Sequence, residues 1–113
     1  MDGEEVSRIT VSALPADWGT SEVLLDVREH DEWQRGHAAG AQHIPMGEIP
    51  ARMDEIDLDK PLYVICRSGA RSMRVAQYLQ RNGYEPANVD GGMLAWAAAG
   101  RPVITEDGAP GTV

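Results

Sequence analysis

A strand, a loop of small residues and a helix follow one another between Tyr63 and Leu79, and this order constrains the fold more than any other stretch. Residues 63–65 are β-branched or aromatic, which predicts a buried strand. Apolar residues then recur with helical spacing up to Leu79, which predicts a helix that begins at about Ser72. Cys66, the only cysteine in the chain, lies where the strand gives way to the helix.

The loop after Cys66 combines small side chains with two arginines. Gly69 and its small neighbours allow the backbone to curl tightly, so that its N–H groups can point at one spot. The start of the helix adds unpaired N–H groups, and Arg67 and Arg71 add full positive charges. The pattern predicts an anion-binding loop in which Cys66 ionises more readily than a free cysteine, whose pKa is ~8.5.

Charge is distributed unevenly along the chain, which has 10 Lys and Arg residues against 18 Asp and Glu residues. Between Lys60 and Tyr84 there are five basic residues and no acidic ones. This concentration of positive charge around the cysteine favours a small anionic substrate. The acidic remainder of the chain excludes nucleic acid as a partner, because phosphate would be repelled.

Predicted strands and helices alternate along the chain. We expect strands at 8–11, 23–27, 41–45, 63–65 and 87–89, and helices at 14–18, 30–35, 48–56, 72–82 and 93–98. This alternation predicts an α/β fold with a mostly parallel sheet of about five strands and helices on both faces. Ligands bind such open sheets beyond the C-terminal ends of the strands, where Cys66 lies.

The 113 residues are enough for one domain and too few for two, so we expect a single domain over 1–113 with its core at about 6–103. Residues 104–113 offer little to bury and are expected to form a mobile tail. The N-terminal residues do not resemble a signal peptide, and no apolar run reaches the ~20 residues of a membrane span. A cytoplasmic monomer without membrane contacts is therefore expected, and one cysteine excludes an internal disulfide.

Three stretches resemble the signatures of the single-domain rhodaneses, a family of small sulfurtransferases. They are the N-terminal pattern at 25–45, the active-site loop at 66–71 and the C-terminal pattern at 90–103. The likeness covers nearly everything from Val6 to Val103, with Ala38 standing where isoleucine is more usual. It implies a rhodanese-like fold and the activity of a thiosulfate sulfurtransferase.

The resemblance also implies a two-step covalent reaction that needs no cofactor. Cys66, as a thiolate, would attack the outer sulfur of thiosulfate, release sulfite and hold the sulfur as a persulfide. A thiol, small or on a protein, would then remove the sulfur in the cell, and cyanide would do so in the test tube. The implied substrate-binding residues are those that follow the cysteine: Arg67, Ser68, Gly69, Ala70, Arg71 and Ser72.

Other chemistry-bearing residues are assigned to support. Asp26 and Arg28 follow a neighbouring strand and are expected to form a buried pair that braces the cysteine loop. His30, His37 and His43 match neither the helical nor the strand spacing of a metal site, so no metal is predicted.

Three alternative functions share parts of this pattern. A phosphatase or arsenate reductase would carry an arginine six positions after the cysteine, where this chain has Ser72 and places Arg71 one residue earlier. A non-catalytic binding module is disfavoured because Cys66 and Gly69 are both present. A persulfide carrier loaded by a desulfurase would use the same chemistry as a thiosulfate enzyme, and the sequence leaves these two open.

Overall fold

The computed structural model describes residues 5–16 and 21–113. Over these residues the chain forms one parallel sheet of five strands in the order β1-β5-β4-β2-β3. The mostly parallel α/β sheet predicted from the sequence is therefore confirmed. The strands are β1 Ser7–Thr10, β2 Val23–Asp26, β3 Gln42–His43, β4 Leu62–Ile65 and β5 Pro86–Asp90.

Within the same described residues, four α-helices connect or follow the strands, and short 3-10 turns extend some of the connections. The α-helices are α1 His30–Arg35, α2 Ile49–Arg52, α3 Ala70–Arg81 and α4 Gly92–Ala98, and the 3-10 turns are Val11–Ala13, Met46–Glu48 and Met53–Glu55. In the described part of the chain, no helix combines the length and the hydropathy that a membrane crossing requires.

Two helix predictions differ from the structure in more than the position of their ends. The predicted helix at 48–56 is one short α-helix flanked by two 3-10 turns, and Pro50 near its start removes a backbone donor. The helical turn predicted at 14–18 lies earlier, at 11–13, and takes the last residue of the predicted first strand. Residues 17 and 18 of that prediction lie outside the described residues.

The sheet is covered by helices on both faces. Successive strand residues point to opposite sides, so each central strand contributes apolar side chains to both core clusters. Leu25 and Val64 pack on the side of α3, in a cluster with its buried apolar residues. Leu24 and Ile65 pack on the side of α4, in a second cluster with Trp96. Each buried side chain of this kind contributes about 1.5–3 kcal/mol to folding, so the two central strands anchor the cysteine loop firmly.

The C-terminal residues 104–113 do not extend as the predicted mobile tail. Ile104 forms antiparallel bridges with His37 and Pro110, and the Thr112 amide donates to the Arg35 carbonyl at 2.9 Å. Gly36 makes this close approach possible, because a Cβ there would lie 2.6 Å from the Thr112 carbonyl oxygen. The segment therefore packs back across the end of α1, a long-range contact that its polar composition does not indicate.

Candidate active site

The cysteine loop lies at the C-terminal end of β4, as the sequence predicts. Cys66 follows the last strand residue, and α3 begins at Ala70, two residues earlier than expected. Gly69 precedes the helix with φ +114°, a left-handed conformation that favours glycine. The first bond along the helix runs from the Met73 amide to the Gly69 carbonyl, so the N–H groups of 70–72 precede the helical ladder, and that of Ser72 donates to the Cys66 sulfur instead.

The sulfur of Cys66 is buried, with the residue only 1% exposed, and accepts hydrogen bonds from the loop. The Gly69 amide nitrogen lies 3.1 Å from Sγ, and the Ser72 hydroxyl oxygen lies 3.3 Å from it. Burial raises the pKa of Cys66, but hydrogen bonds from Ser72, Gly69 and Ser68 outweigh it. The pKa of the thiol consequently lies below its ordinary value, in the direction that the sequence predicts.

The two loop arginines differ in their surroundings. Arg71 donates two hydrogen bonds to the Glu32 carboxylate, at 2.7 and 2.9 Å, whereas Arg67 is exposed and pairs with no carboxylate of the described chain. The bond from Arg71 lowers the pKa of Glu32 to about 2. The pKa of Arg71 is raised, mainly by Glu32 and in smaller part by the Cys66 thiolate. Arg71 therefore lies within electrostatic reach of the sulfur but already has a counter-charge.

The first turn of α4 holds the base of the loop. The Met93 amide donates to the Cys66 carbonyl at 2.8 Å, and the Leu94 amide donates to the Arg67 carbonyl at 3.0 Å. Gly92 permits this contact, since a Cβ there would lie 2.4 Å from the Cys66 carbonyl oxygen. The C-terminal stretch that resembles a rhodanese signature therefore fixes the backbone of Cys66 and Arg67.

Behind the sulfur, Ser72 is bonded to a residue that sequence reasoning missed. Its hydroxyl oxygen lies 2.6 Å from Oδ1 of Asn88, which is buried on β5. The side-chain amide of Asn88 in turn donates to Asp90 Oδ1 at 3.2 Å. Three side chains thus form a chain of hydrogen bonds that ends at Cys66 Sγ.

Asp26 and Arg28 form the buried pair predicted from the sequence, at the end of the strand next to β4. Arg28 Nη2 lies 2.8 Å from Asp26 Oδ2 and donates a second bond to the Gly36 carbonyl, also at 2.8 Å. Among the described residues, these side-chain bonds lead to the segment that follows β2 and not to the cysteine loop. The pair therefore braces residues 26–36 directly, and reaches the loop only through the sheet.

Two of the three histidines stack on Trp33. Its ring stacks on His37 at 3.6 Å and on His43 at 4.6 Å between centroids. His43 Nε2 donates to the Arg28 carbonyl and His37 Nδ1 to the Trp33 carbonyl, each at 2.8 Å. The exposed His30 lies 3.8 Å from the Glu48 carboxylate. In these positions two of the three imidazoles hold backbone in place.

Comparison with known proteins agrees with this geometry. Residues 10–99 match the family model described as "Rhodanese-like domain". The chain belongs to this family. It is 43% identical over 100 residues to the protein named "Putative sulfurtransferase YtwF" of Bacillus subtilis, covering 87% of this chain and 97% of that one. It is 40% identical to a protein of Allochromatium vinosum named "Sulfurtransferase", covering 92% and 97% of the two chains.

A solved structure supports the same assignment of the fold. A rhodanese-related protein of Thermoplasma volcanium superimposes with a TM-score of 0.82 at 31% identity, covering 88% of this chain and 99% of that one. The rhodanese-like fold predicted from three sequence stretches is therefore confirmed.

In this rhodanese-like domain, sequence reasoning placed Cys66 at the end of the correct strand but gave no role to three residues that shape its surroundings. Glu32 is separated from Arg71 by 39 positions and Asn88 from Ser72 by 16, so no local pattern connects them. Gly92 carried a signal, because paired glycines at the end of a strand often mark a close backbone approach. Its contact with the Cys66 carbonyl could have been suggested on that ground.

Proposed function

We propose that this rhodanese-like domain is a sulfurtransferase that moves a sulfane sulfur from thiosulfate to a thiol through a persulfide on Cys66. The observation that carries the proposal is the state of the Cys66 thiol. It is buried, and yet hydrogen bonds from Ser72, Gly69 and Ser68 lower its pKa. A cysteine of lowered pKa is more often present as the thiolate, which is the form that acts as a nucleophile. Relatives covered almost end to end by this chain are named as sulfurtransferases.

In the first step, the Cys66 thiolate attacks the outer sulfur of thiosulfate. The bond between Sγ and that sulfur forms, and the sulfur–sulfur bond of thiosulfate breaks with its electron pair leaving on sulfite. Gly69 N–H and the Ser72 hydroxyl stabilise the thiolate before the attack. At the start of α3 the Ser72 N–H already donates to Sγ, and the N–H groups of Ala70 and Arg71, which precede the first helical hydrogen bond, are the donors we propose for the new terminal sulfur.

In the second step, an acceptor thiolate attacks the outer sulfur of the persulfide. That sulfur leaves with the acceptor, and Sγ departs as the Cys66 thiolate. The donors that lower the pKa of Cys66 also make it a better leaving group, because a thiol of lower pKa leaves faster. One set of hydrogen bonds therefore assists both halves of the cycle, and cyanide would replace the thiol as acceptor in a laboratory assay.

The intact mass of the protein tests this proposal directly. After brief exposure to thiosulfate without reductant, the parent protein should gain one sulfur atom, which dithiothreitol should then remove. Cys66→Ser should gain none, since the chain has no other cysteine. If the parent gains no sulfur while iodoacetamide still labels Cys66, thiosulfate is not the donor.

A second candidate is a carrier loaded by a desulfurase, and the ion pair of Arg71 favours it. Glu32 already neutralises that arginine, so less positive charge remains for the dianion thiosulfate. The same arrangement disfavours a phosphatase, which grips its tetrahedral oxyanion with a loop arginine. Comparing persulfide formation from thiosulfate with that from a cysteine desulfurase and cysteine separates the two sulfur donors. Much faster loading from the desulfurase would favour the carrier.

A further inference from the structure

The Ser72 hydroxyl has one proton and three acceptors within reach. Its oxygen lies 2.6 Å from Asn88 Oδ1, 3.2 Å from the Gly69 carbonyl and 3.3 Å from Cys66 Sγ. The Gly69 carbonyl already accepts the Met73 amide at 3.1 Å. The proton is therefore shared mainly between the Asn88 oxygen, which is nearest, and the sulfur.

The orientation of Asn88 is fixed by its other neighbour. Its side-chain nitrogen donates to the Asp90 carboxylate, and Arg8 holds that carboxylate at 3.0 Å. A carboxylate only accepts hydrogen bonds, so the amide nitrogen must face Asp90 and the amide oxygen must face Ser72. Asn88 and Ser72 are both buried, where an acceptor left without a donor is costly.

We propose that Asn88 is a positioning residue that competes with Cys66 for the proton of the Ser72 hydroxyl. When Cys66 carries a thiol or a persulfide, Sγ is uncharged and a weak acceptor, and the hydroxyl donates to Asn88. When Cys66 is a thiolate, the hydroxyl turns toward the sulfur. The proton stays on the Ser72 oxygen throughout, and only its acceptor changes.

This competition deepens the proposed function and rests on it for its consequence. A thiolate that accepts a strong hydrogen bond is more abundant but less nucleophilic. Asn88 weakens the bond from Ser72 to the sulfur, so the thiolate keeps more of its reactivity. Once the persulfide forms, Sγ is uncharged and the hydroxyl returns to Asn88, until Sγ departs again as the thiolate in the second step.

The charged groups around the site stay the same in the test. Arg71 with Glu32 faces the sulfur from α3 and α1, and Asp90 with Arg8 closes the outer end of the hydrogen-bond chain. Other charges in this part of the fold are Glu29, which acts on Arg71, the buried pair at the end of β2 and the exposed loop arginine: Asp26, Arg28 and Arg67. None of these charges is removed by the variants. Asn88→Leu does take one donor from Asp90, and the double variant with Ser72→Ala shows whether that loss alone moves the titration of Cys66.

The test is the rate of Cys66 alkylation by iodoacetamide as a function of pH. Asn88→Leu, close in size but without an acceptor, should move the inflection to lower pH by roughly half a unit to one unit, because Ser72 then serves the sulfur alone. Ser72→Ala should move it to higher pH. The double variant should match Ser72→Ala, since Asn88 acts only through that hydroxyl.

Opposite results overturn the proposal. An unchanged or raised inflection in Asn88→Leu would mean that Asn88 does not compete for the proton. If adding Asn88→Leu to Ser72→Ala lowered the inflection by the same amount, Asn88 would act on Cys66 by a route that does not involve the Ser72 hydroxyl. Val89→Ala is the control for a general loosening of the packing around β5. Val89 lies on the same strand as Asn88, in the core cluster on the α4 side of the sheet. Asn88→Ala replaces the leucine variant if that protein does not fold.

Alkylation needs no sulfur donor, so this test is independent of the proposed activity. A lowered inflection in Asn88→Leu would support the competition even if thiosulfate leaves no sulfur on the parent protein. Conversely, persulfide formation in the parent with no shift in the variants would reject the competition alone.

Discussion

Two neighbouring strands end in very different ways, although both ends are buried. Asp26 ends β2 opposite Ile65 of β4, and Cys66 follows Ile65 directly. At the end of β2, the Arg28 guanidinium is neutralised by Asp26 in place. At the end of β4, uncharged donors surround a thiol that ionises. The comparison indicates that the buried charge of Arg28, paired with Asp26, stabilises the fold. The uncharged donors around Cys66 Sγ instead favour the thiolate, which is the reactive form of the cysteine.

The largest expected loss of stability comes from breaking the buried ion pair at the end of β2. Asp26→Asn should destabilise the domain by about 3–5 kcal/mol, because Arg28 would remain charged and buried without its partner. Urea denaturation would measure the loss. Asp31→Asn is the matched control, since it removes an exposed ion pair with Arg35 at 3.5 Å and should cost at most about 0.5 kcal/mol. Equal losses in the two variants would mean that the buried pair does not stabilise the end of β2.

A smaller loss of stability, and a larger loss of activity, is expected from moving the base of the cysteine loop. In Gly92→Ala the new Cβ would meet the Cys66 and Arg67 carbonyl oxygens at 2.4 and 2.5 Å, at a residue with φ +57°. We expect about 1–3 kcal/mol of destabilisation and a fall of at least tenfold in sulfur transfer, because the loop donors would leave Sγ.

Gly83→Ala is the control for this variant. Gly83 also has a positive φ, +93°, but a Cβ there would meet no atom within 4 Å. It should lose stability through backbone strain alone and keep its activity. If Gly92→Ala were as active as Gly83→Ala, the contact between α4 and the loop would not position the nucleophile.

What the sequence could predict depended on local patterns. The apolar run before Cys66 and the helical spacing after it placed this cysteine at the correct edge of the sheet. The sequence could not indicate that Arg71 is paired with Glu32. The two residues lie on different helices, 39 positions apart, and only the packing of the fold brings them together. The packing of residues 104–113 was missed for a similar reason, since single bridges at Ile104 have no periodicity.

The smallest expected effect concerns Arg71, which belongs to the cysteine loop but, like Arg28, is paired with a carboxylate. Arg67→Ala and Arg71→Ala should each raise the KM for thiosulfate, and the effect of Arg71→Ala should be the smaller while Glu32 neutralises it. Glu32→Gln should lower this KM by about two- to fivefold, the size expected for a partly exposed ion pair of ~0.5–1 kcal/mol. Initial rates at thiosulfate concentrations well below KM would measure the change.

The pKa of Glu32 makes the control for this prediction simple. Because Arg71 lowers the pKa of Glu32 to about 2, Glu32 stays ionised in the folded protein throughout any practical assay. The stability that Glu32 contributes to the fold would be lost only as the pH falls from the range of a free carboxyl toward 2. The ratio of KM between parent and Glu32→Gln should therefore stay constant between pH 6 and about pH 8. In the double variant with Arg71→Ala, the gain from Glu32→Gln should disappear. A raised KM in Glu32→Gln alone would instead show that Glu32 holds Arg71 over the loop, so that this pair, unlike Asp26 and Arg28, positions a charge for the substrate.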